Sequence, residues 1–152
     1  MSEPEAGSAD RAEFLGELIE RFNDAWNRQD VDAAMACHTD DVVFHNHTAG
    51  ERAEGRDAVR QHVAGIFANW PGMLFSGRSL YLRDGLIVQE WTAAAPHTRP
   101  VSRGGRVAEP TGATITWDGM DIMPTRGGLI ARKDVYSDSI TLLRQLGLTD
   151  IA

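Results

Sequence analysis

The chain has a single cysteine, no long apolar run and no basic cluster, and each absence excludes a class of protein. Cys37 has no partner, so an internal disulfide is excluded. No apolar stretch approaches the roughly 18 residues that a membrane-spanning helix needs, and the N-terminus lacks the charged-then-apolar pattern of a signal peptide. We therefore expect a cytoplasmic protein with no membrane partner.

The net charge is −7 over 152 residues, and the arginines are dispersed along the chain. No basic stripe could neutralise phosphates, which argues against nucleic acid as a partner. The length predicts one domain over residues 11–152, with a disordered tail over residues 1–10, which are rich in Glu, Ala, Gly and Ser.

Common catalytic motifs are also missing. The sequence has no Walker-type loop, zinc-finger spacing, Gly-x-Ser-x-Gly elbow or Rossmann fingerprint. These absences argue against nucleotide hydrolysis, dehydrogenation and serine-type acyl transfer.

The periodicity of apolar residues predicts helices first and strands afterwards. Apolar residues at helical spacing indicate helices over 11–28, 30–38 and 57–70, with a short strand over 41–47 after the second. From residue 73 the period changes to two, which predicts strands over 73–82, 86–95, 113–124 and 129–138, a mobile loop over 98–110 and a closing helix over 139–146. This α+β order predicts three helices covering one side of a curved sheet, with a cavity at its open end.

The last two strands carry the strongest functional signal. A four-residue turn, Thr125-Arg126-Gly127-Gly128, joins them. If the turn is centred between Arg126 and Gly127, the opposed pairs are Asp121 with Arg132, Gly119 with Asp134, and Trp117 with Tyr136. Acids and aromatics would then share one face with aliphatic side chains, as in the wall of a pocket, and a change of register by one residue would scatter them.

Several short phrases, taken in order, resemble one family. They are Phe22-x-x-Ala25-Trp26-Asn27, Asp41-Val42-Val43-Phe44-His45-Asn46, Glu54-Gly55-Arg56-Asp57-Ala58-Val59, Gln89-Glu90-Trp91, Gly128-Leu129-Ile130 and Tyr136-Ser137-Asp138. Their order and spacing over residues 11–147 resemble the nuclear transport factor 2-like superfamily, and within it the SnoaL-like group.

The resemblance implies a cone of curved antiparallel sheet wrapped on three helices, with an apolar cavity that takes a hydrophobic small molecule. Relatives include polyketide cyclases, ketosteroid isomerases, limonene-type epoxide hydrolases, scytalone-type dehydratases and non-catalytic binding modules. In the enzymes a cavity carboxylate or histidine moves a proton, without a metal or organic cofactor. The resemblance also implies a homodimer, and an outer sheet face bearing Met120, Ile122, Leu129 and Val135 favours one.

Two carboxylates are the candidate bases. We expect Asp121, among Ile115, Trp117 and Met123, to be poorly hydrated, which strengthens a carboxylate as a base. The alternative is a structural ion pair between Asp121 and Arg132. Asp134 lies where relatives place an acid, but the Asp–Arg–Asp spacing of the epoxide hydrolases is not reproduced.

The remaining candidates are a proton donor and the side chains that contact the substrate. His97 at the cavity rim could act as general acid opposite Asp121, and Tyr136 could stabilise an enolate. The substrate-binding candidates are Trp91, Trp117, Arg132, His45 and Trp26, although Trp26 also fits a core position. His45 and His47 point the same way on their strand and could ligate a metal together with a carboxylate, although we expect pocket or surface roles for them.

Two functions fit these residues best, and a limonene-type epoxide hydrolase is kept as a further alternative. The first is an acid–base enzyme acting on a hydrophobic carbonyl compound such as a polyketide or steroid-like ring, in which Asp121 or Asp134 removes a proton next to the carbonyl. The second is a non-catalytic binding module, in which Asp121 and Arg132 form a closed ion pair.

Overall fold

The computed structural model describes residues 8–149, which form four α-helices and a curved mixed sheet. The helices are α1 (Ala12–Arg28), α2 (Val31–Met35), α3 (Arg56–Asn69) and α4 (Ser139–Gln145). The α+β class and the helix order predicted from periodicity are confirmed. Asp30 and Asp138 cap the N-termini of α2 and α4, since Asp30 accepts from the Ala33 amide at 3.0 Å and Asp138 from the Thr141 amide at 3.1 Å.

Six strands form the main sheet, and two more make a small hairpin. They are β1 (His38–Asn46), β2 (Glu51–Glu54), β3 (Leu74–Arg83), β4 (Leu86–Pro96), β5 (Val101–Arg103), β6 (Arg106–Ala108), β7 (Thr114–Arg126) and β8 (Leu129–Ser137). The main sheet has the order β2-β1-β8-β7-β4-β3, and all its neighbours are antiparallel except β1 and β8. The predicted loop over 98–110 therefore contains the β5–β6 hairpin.

The core lies between α1 and the concave face of the sheet. α1 buries one stripe at helical spacing, comprising Leu15, Leu18, Ile19, Phe22, Ala25 and Trp26. Alternate residues of β4 and β7 point toward the same core, including Ile87, Ile115 and Met123. This alternation places the inward side chains of both strands against the helix.

The register of the β7–β8 hairpin differs from the predicted one. Arg126 pairs with Leu129, so the turn is the two-residue Gly127-Gly128, whose φ angles of 62° and 76° suit glycine. A bulge then adds one residue to β8 between Ile130 and Asp134, since Thr125 pairs with Ile130 but Ile122 with Asp134.

The shifted turn alone would have kept Asp121 and Asp134 on one face, but the bulge reverses the faces. Asp121 pairs with Val135, and Asp134 pairs with Ile122. The predicted pairs of Asp121 with Arg132, Gly119 with Asp134, and Trp117 with Tyr136 are therefore wrong, because the inserted residue turns the side chains of β8 that follow it to the other side.

Val135 is consequently buried against the interior at 6% exposure and does not belong to the outer face. Met120, Ile122 and Leu129 are partly exposed. The homodimer stays a prediction.

The segment before α1 contacts two hairpin turns. Ser8–Asp10 form a 3₁₀ helix, and the Asp10 carboxylate accepts hydrogen bonds from the Gly127 amide at 2.8 Å and the Gly128 amide at 2.9 Å. Residues 8–10 are thus part of the fold, whereas the rest of the predicted tail lies outside the described residues. No helix within residues 8–149 has the length and apolar character needed to cross a membrane.

Candidate active site

A cavity of about 450 Å³ opens between the helices and the concave face of the sheet. This volume suits a small organic ligand. Four tryptophans line it, Trp26 from α1, Trp70 just after α3, Trp91 from β4 and Trp117 from β7. Trp26, Trp91 and Trp117 were expected to bind the substrate; they line the cavity, and their role in binding stays a prediction.

Trp91 occupies space that a glycine leaves open. Trp91 pairs with Gly119 on β7, and a Cβ built on Gly119 would lie 2.3 Å from the indole Cη2. The ring of Phe75 stands edge-on to Trp91 at 5.0 Å between centroids. The absence of a side chain at Gly119 therefore sets the position of the Trp91 ring in the cavity wall.

Asp121 and Glu51 are the acids among the described residues that line this cavity, and of the two only Asp121 is buried. It is 2% exposed, and its Oδ2 accepts a hydrogen bond from Gln89 Nε2 at 3.1 Å. Gln89 is held in turn by two amide–amide hydrogen bonds with Asn23 on α1, both 3.1 Å long. Within residues 8–149 Asp121 Oδ1 has no hydrogen-bond partner. One carboxylate oxygen is therefore fixed, and the other is free to accept a proton.

Lys133 lines the same cavity from β8. Val135 pairs with Asp121, and Lys133 lies two residues from Val135, so all three side chains are on the same face of the sheet. Its Nζ lies 3.7 Å from the ring centroid of Trp26, 5.0 Å from that of Phe22 and 4.8 Å from that of Phe44. Ring faces attract an ammonium group, and desolvation strengthens that attraction.

Burial lowers the pKa of Lys133, while the charge of Asp121 acts in the opposite direction. In the part of the chain that the structure describes, the ammonium makes no salt bridge within 4.0 Å. The cavity thus combines a free carboxylate oxygen and a poorly hydrated amine among aromatic walls.

Sequence reasoning missed Lys133, although a compositional signal was present. It is the only lysine among the 15 Lys and Arg residues, and it lies within an otherwise alternating strand. The register error hid it, because the predicted pairing turned Arg132 inward and Lys133 outward. Gln89 and Asn23 were missed as well, since an amide pair leaves no periodic signal.

The other predicted site residues on β8 lie on the outward face of the sheet. Arg132 donates to Asp134 Oδ2 from Nε at 2.7 Å and to Oδ1 from Nη2 at 2.9 Å. The hydrogen bonds from Arg132 are the main cause of a lowered pKa of Asp134. The hydrogen bond with His47 adds to this effect, and partial burial opposes it. Tyr136 is 44% exposed and stacks on His47, which in turn stacks on His45. The structure therefore gathers Asp134, Arg132, Tyr136 and His45 outside the cavity and away from Asp121.

His97 is also separated from the cavity. It follows β4, is 2% exposed, and lies behind Trp70 with 6.2 Å between ring centroids. It is absent from the cavity lining, and its backbone amide bonds the Ala113 carbonyl at 2.8 Å. The geometry gives His97 no path to a proton on a ligand beside Asp121.

His38, which adjoins this site at the start of β1, makes stability depend on pH. Its Nδ1 contacts the Ala34 carbonyl at 2.8 Å, and burial, followed by the charge of Lys133, lowers its pKa to about 4. As the pH falls, His38 of the unfolded chain is protonated near pH 6.5, whereas His38 of the folded protein is protonated only near pH 4.

We therefore expect the free energy of unfolding to fall as the pH drops from about 6.5 to about 4, by up to roughly 3 kcal/mol from this group. Urea unfolding followed by circular dichroism over that range measures the loss. A His38→Asn variant, which keeps a donor toward the Ala34 carbonyl, should lose less stability over the same pH range. An equally steep loss in that variant would assign the effect to other groups.

The arrangement of helices, mixed sheet and internal cavity defines a nuclear transport factor 2-like protein. The SnoaL-like domain model matches residues 19–133, and the chain belongs to this family. The comparison with proteins of curated function gave no significant match.

Solved structures share the fold at low sequence identity. AclR from Streptomyces galilaeus, provisionally described as a hydroxylase, is 17% identical with a TM-score of 0.76, over 91% of this chain and 87% of its own. IdmH from Streptomyces antibioticus, provisionally described as a polyketide cyclase, is 20% identical with a TM-score of 0.73, over 88% and 98%. A SnoaL-like protein from Jannaschia sp. CCS1, also provisionally described as a polyketide cyclase, is 13% identical with a TM-score of 0.77, over 98% and 99%.

Proposed function

We propose that the protein is an acid–base enzyme of the cyclase or isomerase type, acting on a hydrophobic carbonyl compound such as a polyketide or steroid-like ring. Asp121 Oδ1 removes a proton from the carbon next to the carbonyl. The Lys133 ammonium stabilises the enolate oxygen that forms. The proton then returns to another carbon, or the enolate carbon attacks a second carbonyl to close a ring, and the alkoxide that forms takes the proton from Asp121.

The observation that carries this proposal is the free oxygen of Asp121 in an aromatic cavity that also holds Lys133. The hydrogen bond from Gln89 fixes the carboxylate, so the base needs little reorganisation before proton transfer. The aromatic walls exclude water, which strengthens the attraction between the ammonium and a developing negative charge. The family and the provisional descriptions of IdmH and the Jannaschia protein support a cyclase-type reaction.

The two alternatives find less support in this geometry. A non-catalytic module was expected to close Asp121 against Arg132, but Arg132 bonds Asp134 on the outward face. An epoxide hydrolase of the limonene type needs an Asp–Arg–Asp set around a water. Among the described residues that line the cavity, Arg103 is the only arginine and no second Asp accompanies Asp121.

Exchange of α-protons tests the proposal without knowledge of the natural substrate. The bicyclic ketone 2-tetralone is incubated in D₂O with the protein, and proton NMR follows the loss of its α-proton signals. We expect exchange to be faster than in matched buffer and to saturate with ketone concentration. Saturable binding without any acceleration would instead support the binding module.

A further inference from the structure

The outward face of the sheet carries a second polar cluster that the proposed reaction does not use. His45 lies near the end of β1 and His47 directly follows the strand, and their imidazoles stack on the same side of the sheet. β8 runs parallel to β1 here, and His45 pairs directly with Asp134. One ligand atom from each of these three side chains lies within 4.8 Å of the other two.

Ring stacking holds the two imidazoles in place. The rings of His45 and His47 have centroids 3.6 Å apart, and Tyr136 stacks on the other side of His47 at 4.5 Å with an interplanar angle of 6°. The side chains of His47 and Asp134 are 28% and 16% exposed. The donors are therefore ordered by their neighbours and still open to an ion from solvent.

We propose that His45, His47 and Asp134 bind a divalent transition-metal ion, with Zn²⁺ as the best fit. Two imidazole nitrogens and one carboxylate oxygen match the preference of zinc, whereas Mg²⁺ and Ca²⁺ prefer oxygen ligands alone. Donor atoms around a tetrahedral zinc lie about 3.4 Å apart. The three donor atoms, within 4.8 Å of one another, need to move closer to reach that spacing, and tetrahedral coordination leaves a fourth position for water.

Two neighbours determine how strongly the ion binds. His47 Nε2 donates its proton to Asp134 Oδ1 at 2.7 Å, because the ionised carboxylate can only accept. Zinc at Nε2 takes the place of that hydrogen, and the ligating His47 is the neutral tautomer with its proton on Nδ1, a shift that solvent relays. Arg132 already donates two bonds to Asp134, but a carboxylate has about four acceptor positions, so it can hold both cations. The positive charge of Arg132 weakens the site without closing it.

Calorimetric titration of the tag-free protein with ZnCl₂ tests the site. We expect one equivalent to bind with a Kd below about 100 µM. His45→Ala and Asp134→Asn should each weaken binding at least about tenfold. Arg132→Met should tighten binding by removing the competing charge. The matched control is His62→Gln, which changes a histidine outside the cluster and should leave the Kd unchanged.

Titration of the wild-type protein with Co²⁺ gives a second readout that needs no variant. Coordination by two imidazoles and a carboxylate should produce visible absorption bands, which added Zn²⁺ should abolish. The proposal is overturned if neither ion binds at millimolar concentration, or if folded His45→Ala and Asp134→Asn variants bind Zn²⁺ as the wild type does.

Discussion

An Asp121→Asn variant is expected to lose α-proton exchange by a factor of about 10² to 10⁴, with its fold intact. The amide has the shape of the carboxylate, and its oxygen can still accept the hydrogen bond from Gln89. It cannot accept a proton from carbon. The rate of 2-tetralone exchange in D₂O, compared at equal fractions of bound ketone, measures the loss.

Asp118→Asn is the matched control for this variant. Asp118 lies on the same strand but on the outward face, where it bonds Thr92 and Arg78. We expect wild-type exchange from it. If Asp121→Asn also retained wild-type exchange, Asp121 would have no part in the reaction.

A Lys133→Met variant is expected to lose about 10²- to 10³-fold in exchange rate, as removal of one preorganised oxyanion donor does in other enzymes. Methionine keeps an unbranched apolar side chain of similar length among the rings of Phe22, Trp26 and Phe44. Burial lowers the pKa of Lys133, so the folded state disfavours the charged form of this side chain. The variant should therefore unfold at the same temperature as the wild type or a higher one.

The combination of lower activity with unchanged or higher stability distinguishes a catalytic lysine from a structural one. Thermal unfolding and 2-tetralone exchange are measured on the same sample. Arg78→Met removes a cation from the outward face of β3, and we expect it to keep the wild-type rate. An exchange rate of Lys133→Met within about twofold of the wild type would remove the ammonium from the mechanism.

Sequence periodicity was sufficient for the helices and for most strands. The spacing of the apolar residues from Leu15 to Trp26 fits a helix and not a strand, and the observed α1 begins one residue after the predicted start. The strand periodicity placed Asp121 and Trp117 on the inward face because they lie at even spacings from Ile115 and Met123 within one strand. Such local patterns need no knowledge of the partner strand.

The site could be predicted only in part, because it depends on pairing between strands. The two-residue turn at Gly127-Gly128 was readable, since consecutive glycines favour positive φ at both positions. The bulge in β8 was not, because no residue type between Ile130 and Asp134 marks it. That one residue decides whether Lys133 or Asp134 faces Asp121, so composition alone could not place the amine.

The titration of the Lys133 amine tests the central claim most directly. As the only lysine, it gives one Cε signal in protein labelled with ¹³C-lysine, and the pH dependence of its chemical shift reports the pKa. We predict that the pKa of Lys133 lies below the ordinary value for lysine in the wild type, and lower still in Asp121→Asn, where the neighbouring negative charge is gone. An ordinary pKa that is the same in both proteins would contradict the placement of Lys133 and Asp121 together in one buried cavity.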